Sequence, residues 1–334
     1  MSSVPCGRSS VADRDPSKGQ RLARTVAVTG GSGYIGTHVV DALLDEGCTV
    51  RVLDPKPPHR ADAEWVPVDV LDTNGLTEAV AGTEVIFHLA AIADVNDVIA
   101  DPTLAIEVNT LGTSRVLEAA RRADAGRVVL ASTVWVYAAT TGQEVDEDTP
   151  FDPNTDRHLY VTSKVAAEMA CRDYHTLYGR PYTILRYGIP YGPRMRDNCV
   201  VAAFMKRCMR GEPLRIDGDG SQQRSFVYVE DLAQAHVKAL ADVAINRTFN
   251  IEGAVPVSIR EIAESVCSLI GTGVVEFGEP RPGDLKARTV SNQRARDELG
   301  WEPTTSFVDG LARTYAWYQA LAAAEAADRA AATQ

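Results

Sequence analysis

The segment Thr25-Val-Ala-Val-Thr-Gly-Gly-Ser-Gly-Tyr-Ile-Gly36 decides the fold. A short β-branched run leads into a Gly-x-x-Gly-x-x-Gly turn and then into a longer amphipathic stretch, which predicts a strand, a tight turn and a helix. Gly30 and Gly33 would let the backbone approach a pyrophosphate, and Gly36 would let the helix pack close to the sheet. The segment therefore predicts the start of a dinucleotide-binding unit.

A second β-branched run, residues 49–53, follows the predicted helix and ends at Asp54. In dinucleotide-binding folds, an acidic residue at this distance from the glycines receives the adenosine ribose hydroxyls. The Asp54 carboxylate would also repel a ribose phosphate, so NAD is favoured over NADP as the cofactor. The helix would begin at Tyr34, with Ile35 next, and its N-terminus would face the phosphates.

The pair Tyr160 and Lys164, in Tyr-Val-Thr-Ser-Lys, indicates proton transfer. Four residues make about one helical turn, so the phenol and the ammonium are predicted on one helix face. A nearby cation favours phenolate over phenol, and a phenolate is a general base. Beside a nicotinamide, that base can take the proton from a sugar hydroxyl, which is alcohol oxidation.

Composition narrows the class of protein. The chain has 334 residues, a formal net charge of −11 and 45% apolar residues, which suits one enzyme subunit and disfavours nucleic acid or an anionic membrane surface as partners. The six cysteines form no Cys-x-x-Cys pair and no metal-ligand spacing with histidines, so we expect no metal site and a cytoplasmic location. No apolar run is long enough to span a membrane, and residues 1–24 are interpreted as a disordered leader.

Strand-like and helix-like patterns alternate along most of the chain, which predicts an α/β fold with a Rossmann-type, doubly wound parallel sheet. Residues 25–187 are predicted to form this domain. Residues 188–320, where prolines and glycines separate shorter elements, are predicted to form mainly a smaller C-terminal substrate lobe, with some segments returning to the first domain. The Ala-rich residues 321–334 are expected to be a frayed tail. Further expected elements are strands at residues 85–89, 127–131 and 182–186, helices at residues 101–123 and 159–178, and a helix from Phe307.

A series of motifs in a fixed order resembles one family, the extended short-chain dehydrogenases/reductases of the nucleotide-sugar epimerase/dehydratase/decarboxylase group. The resemblance runs over residues 25–318. The motifs are Thr29-Gly-Gly-Ser-Gly-Tyr-Ile-Gly36, His88-Leu-Ala-Ala91, Asn109, Ser132-Thr133, Tyr160-x-x-x-Lys164, Gly218-Asp-Gly-Ser-Gln-Gln-Arg224, Tyr228-Val-Glu-Asp231, Arg281-Pro-Gly-Asp284 and Leu299-Gly-Trp301.

The resemblance implies roles for individual residues. Thr133 would hydrogen-bond the sugar C4 hydroxyl, and Tyr160 would remove its proton. Lys164 would hold the nicotinamide ribose and lower the pKa of Tyr160. Further cofactor contacts are implied at Asp69 and Val70, which would border the adenine, and at Leu89, Ala90, Ala91, Asn109 and Tyr187. An Asn inside a helix can also simply pair with a neighbouring loop.

The implied substrate is a nucleotide sugar, with UDP as the nucleotide by family analogy. Arg224 and Arg281 would grip the diphosphate, because a guanidinium fork binds phosphate oxygens at two points. Arg194 is a third candidate cation, and Trp135 would lie beside the reacting sugar.

The reaction that follows C4 oxidation has several alternatives. In a 4,6-dehydratase, Asp-Glu would follow Thr133, whereas this chain has Val134 and Trp135, so dehydration lacks its acid and base. The chain resembles UDP-glucuronate decarboxylases, although Trp135 replaces their glutamate; a 4-keto uronate loses carbon dioxide with little further catalysis. A UDP-hexose 4-epimerase, which needs only Thr133 and Tyr160, is the alternative. Both groups usually have Asn at the position of Ile189. A non-catalytic NAD-sensing regulator is a remote third possibility.

The resemblance also implies a homodimer, in which the helices at residues 101–123 and 159–178 pair with their copies. Apolar side chains at Val161, Val165, Ala166 and Met169 agree with a buried helix face, which packing within one subunit would explain equally well.

Overall fold

The computed structural model describes residues 24–138, 144–151, 158–279 and 289–332. The strands in chain order are β1 (Thr25–Thr29), β2 (Thr49–Leu53), β3 (Glu64–Val66), β4 (Val85–His88), β5 (Arg127–Thr133), β6 (Glu144–Val145), β7 (Tyr182–Tyr187), β8 (Ile189–Tyr191), β9 (Leu214–Asp217), β10 (Gln223–Tyr228), β11 (Arg247–Ile251), β12 (Pro256–Ser258), β13 (Val275–Gly278) and β14 (Thr289–Val290).

The helices in chain order are α1 (Tyr34–Asp45), α2 (Thr73–Ala79), α3 (Val95–Ala100), α4 (Pro102–Ile106), α5 (Gly112–Arg122), α6 (Leu159–Tyr178), α7 (Val200–Met209), α8 (Val229–Lys238), α9 (Ile259–Ile270) and α10 (Phe307–Ala332). Shorter helical turns are of the 3₁₀ type at Val134–Tyr137 and Asp242–Ala244 and of the π type at Glu107–Leu111 and Ala295–Leu299.

Seven parallel strands form the central sheet in the order β11-β7-β5-β4-β1-β2-β3. Both faces are covered by apolar clusters, as a parallel sheet requires. The strand order changes direction between β1 and β4, and in such sheets ligands bind at the carboxyl ends of the strands beside this switch point. The predicted α/β class and Rossmann-type sheet are confirmed.

A smaller lobe is built from short strands and the later helices. Strands β12, β10 and β8 form one small sheet and β13 pairs with β9. A third apolar cluster lies among α7, α9 and α10, and α9 begins with a capping box in which Ser258 and Glu261 bond each other's backbone. Two segments after Tyr187 join the first domain, since β11 pairs with β7 and α8 packs against α1.

The structure differs from the sequence prediction in two regions. The helix predicted at residues 101–123 is interrupted, because α4 ends at Ile106 and a π-helical turn separates it from α5. The tail from residue 321, expected to be frayed, continues α10 to Ala332, with exposed side chains over residues 319–331. The leader interpreted at residues 1–24 lies outside the described residues except for Arg24. In the described ranges, every helix is too short or too polar to cross a membrane.

Candidate active site

The glycine turn between β1 and α1 depends on the absence of side chains. Gly30 has a φ of +69°, and a Cβ there would lie 2.7 Å from the Ala90 amide nitrogen. A Cβ on Gly36 would lie 2.0 Å from the Gly30 carbonyl oxygen, so α1 starts directly against the turn. At Gly33 the nearest atom to a Cβ would be the same oxygen, at 3.2 Å. Two glycines are therefore required by packing, and the third, Gly33, is exposed at the start of the helix with one close neighbouring atom.

The first turn of α1 offers its backbone rather than its side chains. Gly33 is the N-cap and provides no side-chain hydrogen bond to the amides of the turn. The Tyr34 ring packs into the apolar cluster of the smaller lobe, and its buried hydroxyl has no hydrogen-bond partner in the described part of the chain. Ile35 packs against the core of the sheet. A ligand at this helix end would therefore meet backbone N–H groups, which suit an anion.

Asp54 lies directly after β2, as predicted, and its carboxylate is held in place by backbone amides. The Ser32 amide donates to Oδ2 at 3.1 Å, and the Lys56 amide donates to Oδ1 at 2.9 Å. The carboxylate is thus fixed beside the glycine turn, where a ribose would be expected. Asp69 is exposed and accepts from the Leu71 amide at 2.8 Å, whereas Val70 is a core residue packed on α5.

Thr133, Tyr160 and Lys164 come together at the carboxyl edge of the sheet. Thr133 ends β5 and is 4% exposed, and its hydroxyl oxygen accepts from the Trp135 amide at 3.2 Å. Tyr160 and Lys164 lie one turn apart on α6, and Lys164 Nζ is 5.9 Å from the Tyr160 ring centroid. Lys164 Nζ donates to the carbonyl oxygen of Ala131 on β5 at 2.9 Å, which ties the first turns of α6 to that strand.

The predicted lowering of the Tyr160 pKa by Lys164 is not found. Burial raises the pKa of Tyr160 to about 12, and Arg196 is the group that acts in the opposite direction. Burial also lowers the pKa of Lys164 to about 8, with Glu168 opposing the shift. Without a ligand the phenol therefore keeps its proton at neutral pH, because desolvation of the phenolate outweighs the nearby positive charge.

Asn109 lies in the π-helical turn and connects three elements. Its Oδ1 accepts from the Ile92 amide at 2.8 Å, and its Nδ2 donates to the Ile92 carbonyl oxygen at 2.9 Å and to Ser163 Oγ at 3.0 Å. The side chain is 1% exposed. It therefore fixes the loop after β4 against α6, and any influence on a cofactor would pass through that loop.

A second buried network holds the same loop and was not predicted from the sequence. Thr113 Oγ1 donates to the Asn109 carbonyl oxygen at 2.6 Å, so it must accept from His88 Nε2, at 3.0 Å. His88 Nδ1 then accepts from Thr29 Oγ1 at 2.7 Å, and Thr29 Oγ1 accepts from the Ala90 amide at 3.3 Å. Burial lowers the pKa of His88 to about 3, so the ring is neutral. The motif around His88 is visible in the sequence, but the hydrogen-bond partners of its ring, Thr29 and Thr113, are distant along the chain.

The other predicted cofactor contacts follow strands of the sheet. Leu89, Ala90 and Ala91 form the half-buried start of the loop after β4, and the Leu89 amide donates to the Thr29 carbonyl oxygen at 3.1 Å. Tyr187 ends β7 and is level with Thr133 in the sheet register, but its hydroxyl is bonded to His236 Nε2 at 2.5 Å.

The predicted substrate residues divide into three cases. The Arg224 guanidinium carbon lies 6.0 Å from the centroid of the Trp135 ring. A cation therefore lies beside the aromatic ring that comes two residues after Thr133. Arg281 lies outside the described residues. The Arg194 guanidinium contacts other residues of this chain, and its role in substrate binding stays a prediction.

Arg194 is turned toward α1. Nη2 donates to Asp41 Oδ2 at 2.7 Å and lies 2.9 Å from His38 Nδ1, and Nη1 lies 2.9 Å from His59 Nε2. The sequence around Gly192-Pro-Arg-Met gave no indication of these partners, because they are far from Arg194 along the chain.

An ion pair behind Thr133 was also missed. Glu168 is fully buried and binds Arg186 through two hydrogen bonds of 2.9 and 2.8 Å, while Ser132 Oγ donates to Glu168 Oε1 at 2.6 Å. The Arg186 guanidinium also donates to the Tyr137 hydroxyl. The available signal was the spacing of Tyr160, Lys164 and Glu168, which repeats every turn of one helix face.

These residues fit a bound dinucleotide. The uncapped first turn of α1, the exposed Gly33 and the fixed Asp54 carboxylate match the needs of a pyrophosphate and a ribose. The loop of Leu89 to Ala91 and the edge with Thr133, Tyr160 and Lys164 would lie toward the nicotinamide end.

Comparison with known proteins finds similar sequences. A family model described as the NAD dependent epimerase/dehydratase family matches residues 26–251. The chain is similar to the UDP-glucose 4-epimerase of Mycolicibacterium smegmatis, with 35% identity over 87% of this chain and 97% of that protein. It is also similar to the UDP-N-acetyl-alpha-D-glucosaminuronate decarboxylase of Bacillus cytotoxicus, with 30% identity over 89% of this chain and 98% of that protein.

A solved structure is also similar to this chain. The UDP-glucuronic acid 4-epimerase of Bacillus cereus, in complex with UDP-glucuronic acid and NAD, superposes with a TM-score of 0.80. The two chains are 29% identical, and the match covers 89% of this chain and 99% of that chain.

Proposed function

Because the chain belongs to the NAD dependent epimerase/dehydratase family, we propose that it oxidises C4 of UDP-glucuronate, whose C6 carboxylate then leaves as carbon dioxide. The enzyme class and NAD as the cofactor follow from the family. One observation supports the C4 step: Thr133, Tyr160 and Lys164 lie together at the carboxyl edge of the sheet, the edge at which the glycine turn follows β1.

Each of these three residues has a distinct part in the C4 step. The Thr133 hydroxyl orients the sugar hydroxyl, and the Tyr160 oxygen takes its proton. Lys164, held by the Ala131 carbonyl oxygen, keeps α6 in register with β5 and offers its remaining N–H donors to a ribose. NAD, when bound, accepts and returns two electrons and brings a positive charge that favours the phenolate.

Loss of carbon dioxide then needs little from the protein. Once C4 is a ketone, the C6 carboxylate is in the β position. The C5–C6 bond breaks, its electron pair passes into the enolate over C5, C4 and the C4 oxygen, and C5 takes up a proton. Trp135, whose ring centroid lies 6.0 Å from the Arg224 guanidinium carbon, would exclude water and restrict turning of the sugar ring, which disfavours epimerisation more than decarboxylation.

The comparisons support a hexuronate substrate. The relative from Bacillus cytotoxicus is named as a uronate decarboxylase, and the solved structure from Bacillus cereus contains UDP-glucuronic acid.

A 4-epimerase is the second candidate. It needs only the C4 step and room for the keto sugar to turn over before reduction. The relative from Mycolicibacterium smegmatis, at 35% identity, is named as a UDP-glucose 4-epimerase and favours this outcome.

Product analysis separates the two. The purified protein is incubated with UDP-glucuronate labelled with carbon-13 at C6 and, separately, with UDP-glucose, and products are identified by NMR and mass. We expect labelled carbon dioxide with UDP-4-keto-pentose, UDP-xylose or both. The C4 epimer as the only product from either sugar would assign the protein to the epimerases. Bound NAD without turnover of any UDP-sugar would indicate the regulator.

A further inference from the structure

Glu252 follows directly on β11 and lies at the carboxyl edge of the central sheet. In the parallel register, Thr133 at the end of β5 is level with Tyr187 at the end of β7, and Tyr187 is level with Ile251 at the end of β11. Adjacent strands are about 4.8 Å apart. The residue after Ile251 therefore starts roughly two strand spacings from the hydroxyl proposed to orient C4.

The Glu252 carboxyl lies against Gly188, the residue that follows β7, and β7 lies between β11 and β5 in the sheet. A Cβ on Gly188 would lie 1.8 Å from Glu252 Oε1 and 2.6 Å from its Cδ, so the carboxyl fills the space that a side chain at position 188 would take. The Gly188 amide donates to the Ile251 carbonyl oxygen at 2.9 Å, which keeps the two chain segments together. Glycine at 188 thus makes room for an acidic group beside the reacting edge.

The backbone at Glu252 is fixed on both sides. The Glu252 amide donates to Asn292 Oδ1 at 3.0 Å, and Asn292 Nδ2 donates to the Glu252 carbonyl oxygen at 2.8 Å. A Cβ on Gly253 would lie 2.1 Å from the carbonyl oxygen of Phe226 on β10, the strand that also carries Arg224. The backbone that carries this carboxyl is therefore fixed beside β10, the strand of the residue proposed to bind the diphosphate.

The carboxyl has few partners within the described chain. It is 5% exposed, Oε1 accepts from the Gly253 amide at 3.0 Å, and Oε2 accepts from none of the described residues. Burial raises the pKa of Glu252 to about 8, and the Gly253 amide opposes the shift. A buried carboxylate with one amide donor is costly, so the group keeps its proton at neutral pH and has an O–H to donate.

Neighbouring charges do not explain why the pKa of Glu252 is raised. The charged and titratable groups on the adjacent elements include Tyr182, Arg186 and Tyr187 on β7, Arg224 and Tyr228 on β10, Arg247 on β11, Glu147 before β7, and Arg294 after Asn292. Arg186 pairs with Glu168, Tyr187 with His236, and Arg294 with Glu147 and Asp148. Burial alone raises the pKa of Glu252.

We propose that Glu252 is a specificity-determining residue whose protonated carboxyl donates a hydrogen bond to the C6 carboxylate of the bound sugar, an assignment that rests on the hexuronate substrate proposed above. The C6 carboxylate is attached to C5, next to the carbon on which Thr133 and Tyr160 act. A hydrogen bond to an ionised acceptor is roughly twice as strong as one between neutral groups, so a C6 carboxylate gains more than a C6 hydroxyl. Ionised Glu252 would repel the C6 carboxylate instead.

Binding measured against pH tests this assignment. The Tyr160→Phe holoenzyme is used as background, so that neither turnover nor the Tyr160 phenol contributes. Calorimetric Kd values for UDP-glucuronate and UDP-glucose are taken from pH 6 to 9, with and without Glu252→Gln. We expect the Kd for UDP-glucuronate to rise about tenfold between pH 7 and 9, as a group with a pKa near 8 loses its proton. The Kd for UDP-glucose should change much less.

Glu252→Gln is the matched variant because its amide keeps a donor that does not titrate. It should bind UDP-glucuronate at pH 7 within a few-fold of the background protein and lose the rise above pH 7. Lys164, whose pKa is also near 8, remains in every sample, so its titration cancels in the comparison.

The outcomes distinguish this inference from the proposed function. An equal rise with and without Glu252→Gln would leave Glu252 as a packing residue and overturn the inference. Binding of UDP-glucose with no binding of UDP-glucuronate at any pH would instead overturn the hexuronate substrate. If Glu252→Gln does not fold, equal pH dependence for the two sugars in the background protein would still reject the inference.

Discussion

The proton on Tyr160 is the central feature at the scale of single residues. Burial raises the pKa of its phenol to about 12 in the ligand-free chain, while Lys164 is engaged with the Ala131 carbonyl oxygen. A base in this state must be activated by what binds beside it. The site therefore combines an acid-base group with a pocket that supplies its charge only when cofactor and substrate are present.

Tyr160→Phe removes this base and keeps the ring. We expect kcat for any UDP-sugar to fall by about 10²–10⁴, because that is the usual cost of losing a general base. Thr133→Ala should cost less, since its hydroxyl orients the sugar but does not receive the proton. Steady-state kinetics on the two purified variants, with bound NAD quantified after denaturation, checks this.

Near-normal turnover by Tyr160→Phe would rule out the proposed C4 step. The matched control is Tyr174→Phe, on the same helix, which removes a phenol from a position packed against the sheet core. It should leave kcat within a few-fold of the wild-type value.

At the scale of elements, local patterns were predicted well. The bounds of β1 and β2 and of α6 agree with the sequence, because β-branched runs, a glycine turn and a 3.6-residue period are each encoded within one segment. The helix predicted at residues 101–123 was wrong in its middle. There Asn109 bonds Ile92 and Ser163, and these partners lie on other elements.

The same difference between local signals and contacts across distant elements applies to the site residues. The sequence brought together Thr133, Tyr160 and Lys164 through motif spacing, and the structure places them at one edge. The contacts of Arg194 could not be predicted, because its partners on α1 are more than a hundred residues away along the chain. Glu252 was overlooked because only the fold brings its carboxyl against Gly188.

The turn before α1 allows packing and nucleotide contact to be tested separately. Gly36→Ala would place a Cβ 2.0 Å from the Gly30 carbonyl oxygen, so we expect a loss of about 1–3 kcal/mol in the free energy of unfolding, with weaker NAD binding. Gly33→Ala places its Cβ 3.2 Å from that oxygen at a φ of −80°, which alanine accepts. It should cost the nucleotide-free protein less stability than Gly36→Ala and lose NAD, because the methyl group enters the space for the pyrophosphate.

Denaturant unfolding of nucleotide-free protein and the NAD content of freshly purified protein give the two readings. Gly47→Ala is a useful control for backbone effects alone, because Gly47 has a φ of +84° and no neighbouring atom within 4 Å of a Cβ. Full NAD content in Gly33→Ala would contradict the proposed approach of the pyrophosphate.

On the scale of the whole molecule, exposed apolar side chains gather on one group of helices. They lie on α3, α4, the π-helical turn and α6, and they are Val95, Ile99, Leu104, Leu111, Met169, Leu177 and Tyr178. These elements contact one another, so the residues share one side of the sheet. The buried face predicted on α6 is therefore found only in part: Val161 is packed within the subunit, whereas Met169 is 56% exposed.

We expect this apolar surface to be covered by a second copy of the chain in a two-fold symmetric dimer. Grouped exposed apolar side chains mark interaction surfaces, and a closed C2 pair lets each helix group cover its own copy. Light scattering at micromolar concentration should give twice the mass of one 36.0 kDa chain.

Leu104→Glu with Met169→Glu should shift the protein to monomer, because four buried carboxylates would enter the interface. Val308→Glu is the matched control, since Val308 is 64% exposed on α10 and outside this surface, and it should leave the dimer intact. A monomeric wild-type protein, or dissociation by the control alone, would reject the dimer through these helices.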